Sequence, residues 1–184
     1  PAVRQAIALA VNRDAMVSGL LQGYGSTLDT IFPTNHWSYP PDVTPIEYDP
    51  EAARALLDQA GWAQSGQYRA KDGRELALRL FVPTGNLVRE RTAPIIQANL
   101  RQVGIRVDIE SMDFPTLVTH LMPQDAQGTP RAVSVDDFDL FLLGFGIERD
   151  PNEYLSYLIP SDMPPNGFNF IGVDIPEVAD LMLE

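Results

Sequence analysis

A chain of 184 residues with 45% hydrophobic content is sized for one domain or one large lobe and is too apolar for wholesale disorder. Its net charge of −12 comes from 25 acidic against 13 basic residues, with Lys71 the sole lysine; phosphate backbones repel such a surface, which argues against nucleic-acid binding. No run approaches the roughly 18 apolar residues of a membrane span, and the absence of cysteine excludes disulfides and thiolate metal sites while fitting either cytoplasm or periplasm.

Val3, Ile7, Ala10 and Val11 share one face at helical spacing. Asn12-Arg13-Asp14 breaks that helix and caps a second, with Ala15, Met16, Val17, Leu20 and Leu21 as its apolar positions, ended by Gly23 to Ser26. From Thr27 to Pro45 four prolines (Pro33, Pro40, Pro41, Pro45) predict loop. Phe32, Trp37 and Tyr39 lie in it, and an aromatic loop of that length either packs down on the surface or lines a binding site. Asp49-Pro50-Glu51 opens a helix with an Asp cap, a first-position proline and a first-turn acid. Ala52, Ala53, Leu56 and Leu57 form its inner stripe, and Gly61 stops it.

Lys71-Asp72-Gly73-Arg74 predicts a hairpin turn. Leu76, Leu78 and Leu80 alternate as in a strand extended by Phe81 and Val82. After the Pro83–Asn86 loop, Asn86 caps a helix to about Val103 with Gly104 as its stop and Pro94 as a kink or second start. Ile105 to Ile109 alternates as a strand, Phe114 to Met122 reads as a short helix, and Pro123 to Val135 as a polar, mobile loop. In Phe138–Pro151, the apolar run Leu140–Leu143 predicts a strand buried on both faces, followed by Gly144 and Gly146. Glu148, Arg149 and Asp150 then stand just past the strand's C-terminal end, where open α/β sheets place ligands; the alternative is an ordinary strand-to-helix connection. Asp150-Pro151 starts a helix through Tyr154, Leu155 and Leu158 that Pro160 ends, and a last helix begins near Pro176. Strands alternating with helices predict an α/β fold, a mixed or largely parallel sheet with helices on its faces.

Chemistry motifs are sparse. No P-loop and no Gly-x-Ser-x-Gly elbow occurs. Gly144-Phe145-Gly146 is a two-glycine match to a dinucleotide turn whose third glycine position holds Arg149. His36 and His120 lie in separate segments without metal-ligand spacing, and Asp136, Asp137 and Asp139 read as a solvated face. The expectation is therefore no catalytic residue, no metal and no cofactor. Pro1 in place of a methionine, and a helical pattern still running at Glu184, read as a piece of a longer protein whose signal peptide, if any, lies outside it.

Five segments in order resemble the C-terminal lobe of the family 5 extracellular solute-binding proteins, the dipeptide- and oligopeptide-binding components of ABC importers. They are Val3 to Ala15; Tyr48 to Leu57 with Gly61-Trp62; Ile96-Gln97 through Leu100 with Gly104-Ile105; Phe138-Asp139 to Gly144-Phe145 with Asp150-Pro151; and Asn169 to Gly172 with Pro176-Glu177-Val178. The resemblance implies one lobe of a type II periplasmic-binding-protein-like bilobed fold, spanning residues 1–184, whose missing N-terminal lobe belongs to the same chain. It also implies a non-enzymatic role at a periplasmic or extracellular membrane-associated location. There a small-molecule or peptide ligand is captured between the lobes and passed to an ABC transporter permease. Peptide-binding members hold the ligand's α-amino group with an Asp after a Gly-Trp pair; here the pair is Gly144-Phe145, and Glu148 stands nearest that Asp, placing Phe145, Gly146 and Glu148 at the ligand. The loop Asn86 to Arg89 and the loop near Asp113 face the ligand in relatives. The rival for Glu148 is a salt bridge to Arg149 or another local arginine. Rival functions are a fragment of an α/β hydrolase or transferase and a ligand-sensing module of a regulator.

Overall fold

The computed structural model describes residues 1–134, 136–146, 149–150 and 154–183. Among the described residues the α-helices are α1 Ala2–Ala10, α2 Arg13–Ala15, α3 Pro50–Gln59, α4 Leu87–Gln102, α5 Phe114–Leu121, α6 Leu155–Leu158 and α7 Pro176–Leu183. The strands among them are β1 Ala63–Ser65, β2 Tyr68–Lys71, β3 Arg74–Glu75, β4 Ala77–Pro83, β5 Arg106–Met112 and β6 Leu140–Phe141. The chain divides into two compact units, one of Pro1–Ser111 with Leu140–Leu142, the other of Met112–Asp139 with Leu143–Glu184.

The first unit is built on local signals that the chain's chemistry makes strong. Asp49 accepts a hydrogen bond from the Ala52 amide at 2.8 Å, and Pro50 opens α3 at no cost in hydrogen bonding because its missing amide would have had no helical partner. Its far end is a complete glycine cap. Gly61 adopts φ +84°, its amide reaches Asp58 O, and the Trp62 amide reaches back to Leu57 O. Helix α4 ends the same way, with Gly104 at φ +84°, its amide on Arg101 O and the Ile105 amide on Leu100 O. The Gly-Trp and Gly-Ile pairs thus stop two helices and turn an apolar residue back into the core. α4 runs unbroken through Pro94.

α1 packs on α3, and Ala6, Ala10 and Ala53 are fully buried in the shared core, where small side chains allow close helix approach. Leu57, Leu80, Val82, Leu100, Val103, Ile105 and Val107 complete it. After Asn12, whose side chain accepts from the Ala15 amide, the chain winds Met16–Leu20 as a π-helix, with the Leu21 amide on Met16 O, where sequence predicts an ordinary helix.

β1, β2 and β3 form an antiparallel meander. Lys71 pairs with Arg74 across a two-residue turn, Asp72 and Gly73 both at positive φ, as a tight hairpin requires. Arg69 in β2 is 3% exposed; it donates to Val103 O (2.8 Å), Trp62 O (2.6 Å) and Asp58 Oδ1 (2.5 Å), joining the hairpin to the ends of α3 and α4. A Cβ on Gly104 would lie 2.8 Å from Arg69 Cγ, so the cap glycine also makes room for that arginine.

The second sheet has the order β5-β4-β6, with β4 and β6 parallel. β4 takes the centre, and Leu80, Phe81, Val82 and Pro83 are all buried. β6 corrects the expectation at Leu140–Leu143. The strand is two residues long and only half-buried, because it is an edge paired on one side, through Leu80↔Leu140 and Phe81↔Phe141. The double-sided burial expected there belongs to β4.

The second unit has less regular structure. Leu117, Leu121, Tyr154 and Ile159 are buried. Its loops are tied by polar side chains. The loop over 123–134 carries its own hydrogen bonds: Asp125 Oδ1 accepts from the Gln127 and Thr129 amides, Gln124 bridges Pro130, and the Arg131 amide bonds Pro123 O. Asn169, 1% exposed, donates to Ile159 O and Val173 O and accepts from the Val173 amide. That one amide holds the loop between the Pro160–Asp162 3₁₀ turn and α7 in place.

Candidate functional site

In the first unit, β4 ends at Pro83, and Thr84 to Asn86 lead into α4. Asn86 is exposed, and its side-chain oxygen accepts from the Arg89 amide at 3.1 Å, so two of the predicted site residues are joined through the cap. Glu90 Oε1 accepts from the Gly85 amide at 2.8 Å and fixes the loop from the other side. Leu87 and Val88 stand 59% and 46% exposed in the first helical turn, an apolar rim at the strand end that sequence reasoning overlooked. Its signal was two apolar residues directly after a cap, where the buried stripe had not yet begun.

In the second unit, exposed Asp113 caps α5, accepting from the Thr116 amide at 2.8 Å. That amide, followed by the Thr116 hydroxyl, holds the carboxyl below its ordinary pKa. Phe145 is half-exposed just past the strand end, and Gly146 beside it is exposed. Glu148 and Pro151 lie outside the described residues.

Phe145 is not alone. Its ring meets the Tyr157 ring edge-on at 4.7 Å, Tyr157 meets Phe168 at 5.8 Å, and Phe168 meets Phe170 at 5.9 Å. Buried Tyr154 backs the row, 6.4 Å from Tyr157. The sequence holds this pattern only as scattered aromatics; Tyr154 and Tyr157 are three apart on one turn of helix, but the joining of 145 to 168 is tertiary.

Two hollows carry charge. In the first unit, about 470 Å³ is bordered by Asn12, Arg13, Asp29, Glu47 and Tyr48 among others. Arg13 there donates to Leu28 O, Asp29 Oδ1 and Ile46 O, each at 2.6 Å, and clasps the proline-rich loop at both ends. Asp29 is held below its usual pKa by Arg13 and then by the Ile46 amide. Within that loop Phe32 stacks on His36 at 4.8 Å and His36 on Trp37 at 5.8 Å, while Trp37 remains 72% exposed.

In the second unit, about 590 Å³ is lined by His120, Met122, Gln124, Arg131, Asp137 and their neighbours. Asp137 takes both Arg131 nitrogens (2.9 and 2.5 Å) and the Ser134 amide (2.7 Å), and His120 Nδ1 lies 3.1 Å from its backbone oxygen. Arg131 lowers the Asp137 pKa to about 2. Of the three carboxylates expected on a solvated face, Asp136 and Asp139 are exposed, and Asp137 is buried because it answers this arginine.

A family model described as bacterial extracellular solute-binding proteins, family 5 Middle, matches residues 1–163. The oligopeptide-binding protein AppA of Bacillus subtilis is 29% identical over 184 residues, covering 98% of this chain and 32% of AppA. A solved structure of AppA in complex with a nonapeptide superposes with a TM-score of 0.85 at 28% identity, over 99% of this chain and 34% of that one. NikA of Brucella suis, solved in complex with Fe(III)-EDTA, superposes with a TM-score of 0.77 at 27% identity, over 98% and 34%. The chain thus spans about a third of the length of the relatives it matches, and its mixed α/β architecture is theirs over that third.

Proposed function

This chain belongs to the bacterial extracellular solute-binding proteins, family 5, and we propose that the whole protein captures a small, peptide-like ligand outside the cytoplasm and delivers it to an ABC permease. In this reading residues 1–184 are one lobe of a bilobed, non-enzymatic binding protein, and the other lobe closes over the ligand. It works in the periplasm or at the outer face of the membrane. The observation that carries the reading is the likeness, over 99% of this chain, to a relative solved with a nonapeptide. Asn86 and Arg89 in the first unit, and Asp113, Phe145, Gly146 and Glu148 in the second, are the residues assigned to the ligand.

Glu148 is the proposed charge anchor. A carboxylate enclosed between two lobes is costly unless a cation meets it, so a ligand ammonium or guanidinium is its natural partner. Calorimetry on the full-length protein, with its ligand identified by native mass spectrometry of the purified protein, tests this. Glu148→Gln weakens binding by about 2–5 kcal/mol, since it strands a buried cation, and shifts folding stability by under about 1 kcal/mol. A variant that binds normally but melts earlier places Glu148 in a local salt bridge instead. Loss of no affinity on removing the second lobe would overturn the interlobe site itself.

A further inference from the structure

Tyr157 touches three rings, and two members of the row stay half-exposed: Phe145 at one end, 50% exposed, and Phe168, 46% exposed although Phe170 meets it on its far side. Exposed aromatic rings on a mobile loop would be unremarkable, but these are held from behind. The Phe168 amide donates to Ser156 O at 3.1 Å, and the Asn169 amide to Asp162 O at 2.9 Å. Asn169 itself is buried and bonded three ways by its side chain. Gly167 passes so close to Asp162 that a Cβ would fall 2.6 Å from that residue's Cβ and 2.8 Å from its carbonyl oxygen. Tyr154, 6% exposed, anchors the inner side. The row is thus a preorganised aromatic surface whose ordering has already been met by folding.

We propose that the Phe145–Tyr157–Phe168 ladder is a platform for an aromatic side chain of the ligand, which makes the protein prefer peptides carrying Phe, Tyr or Trp to all-aliphatic ones. This rests on the peptide-binding reading above. Phe145 meets Tyr157 edge-on and, half-exposed, leaves ring surface for a further ring, and aromatic pairs gain from such geometry beyond the area they bury. The strong negative charge of the chain suits the peptide's ammonium, and the ladder starts at Phe145, the residue next to Gly146 at the strand end. With Phe145 and Gly146 assigned to the ligand in that reading, the occupant is a side chain on the same small ligand.

Full-length protein, freed of bound ligand, is titrated calorimetrically with tri-alanine and with the three tripeptides that replace one alanine by Phe. At least one Phe peptide is expected to bind about tenfold more tightly than tri-alanine. Phe168→Leu, which keeps apolar volume, reduces that preference to about twofold, and Phe168→Ala does the same. Equal wild-type affinity for all four peptides overturns the platform alone, as does a preference that survives in both variants. An equal loss for all four peptides also overturns it, since the ladder would then seat another part of the protein. Failure of every peptide to bind, with a non-peptide ligand found by native mass spectrometry, overturns the peptide reading as well.

Discussion

The two units hold themselves together by different means. In the first, helices and strands cover one apolar core, from Ala6 and Ala53 to Leu57, Leu100 and Ile105, and its polar pin, Arg69, closes the edge where two helix caps meet a hairpin. In the second, short helices alternate with long irregular segments, and side chains such as Asn169, Asp125 and Asp137 satisfy backbone groups that no ladder reaches. Burying apolar area stabilises without direction, whereas a buried amide fixes one geometry and penalises every other. The unit with the aromatic ladder is the one built by the second method, which suits a surface whose shape matters more than its bulk.

The largest expected effect tests the first method. Leu57→Ala, in the middle of the α1–α3 core and fully buried, destabilises by about 2–5 kcal/mol through lost burial and a cavity. Hydrogen exchange should locate that loss in the amides of α1, α3 and β4; uniform loss over both units would show that they share one cooperative transition. Asn169→Ala should cost about 1–3 kcal/mol by leaving the Val173 amide without its acceptor and taking a donor from the Ile159 and Val173 carbonyls. Its exchange signature belongs in residues 159–175, and a variant protected there as well as the parent would mean that apolar contacts hold the loop.

A third measurement separates the units by pH. Asp137 ionises in the folded protein at about 2 rather than 3.8, because Arg131 and Ser134 bond its charged form. Its stabilisation is present in full above about pH 4 and is lost as pH falls from 4 toward 2, since the unfolded carboxyl takes up its proton first. Screening at the part-exposed Arg131 limits the effect to about 1–2 kcal/mol. Asp137→Asn should flatten the acid limb of a stability profile between those values; an unchanged limb would assign it to other carboxylates. The smallest effect concerns Asp113. Asp113→Ser keeps a capping oxygen and should shift stability by under about 0.5 kcal/mol, so any weakening of ligand binding in that variant reports a direct contact rather than a lost cap.

What the sequence by itself determined about this protein is local. Asp49-Pro50, Asn86 and Asp113 announce helix starts and are observed capping them, because a cap uses groups within three residues of each other. Gly61-Trp62 and Gly104-Ile105 mark helix ends for the same reason. Family membership was also legible, since it rests on an ordered series of such short signals. Tertiary structure alone decided the rest. The apolar run at Leu140 became a short edge and Phe81 and Val82 the doubly covered strand, because burial depends on which strand takes the centre. Asp137 left the acidic surface for Arg131, six residues away through an irregular turn. Phe145 found Phe168 through Tyr157, across a gap in sequence that no periodicity encodes, because contact between loops is set by where packed elements deliver their ends.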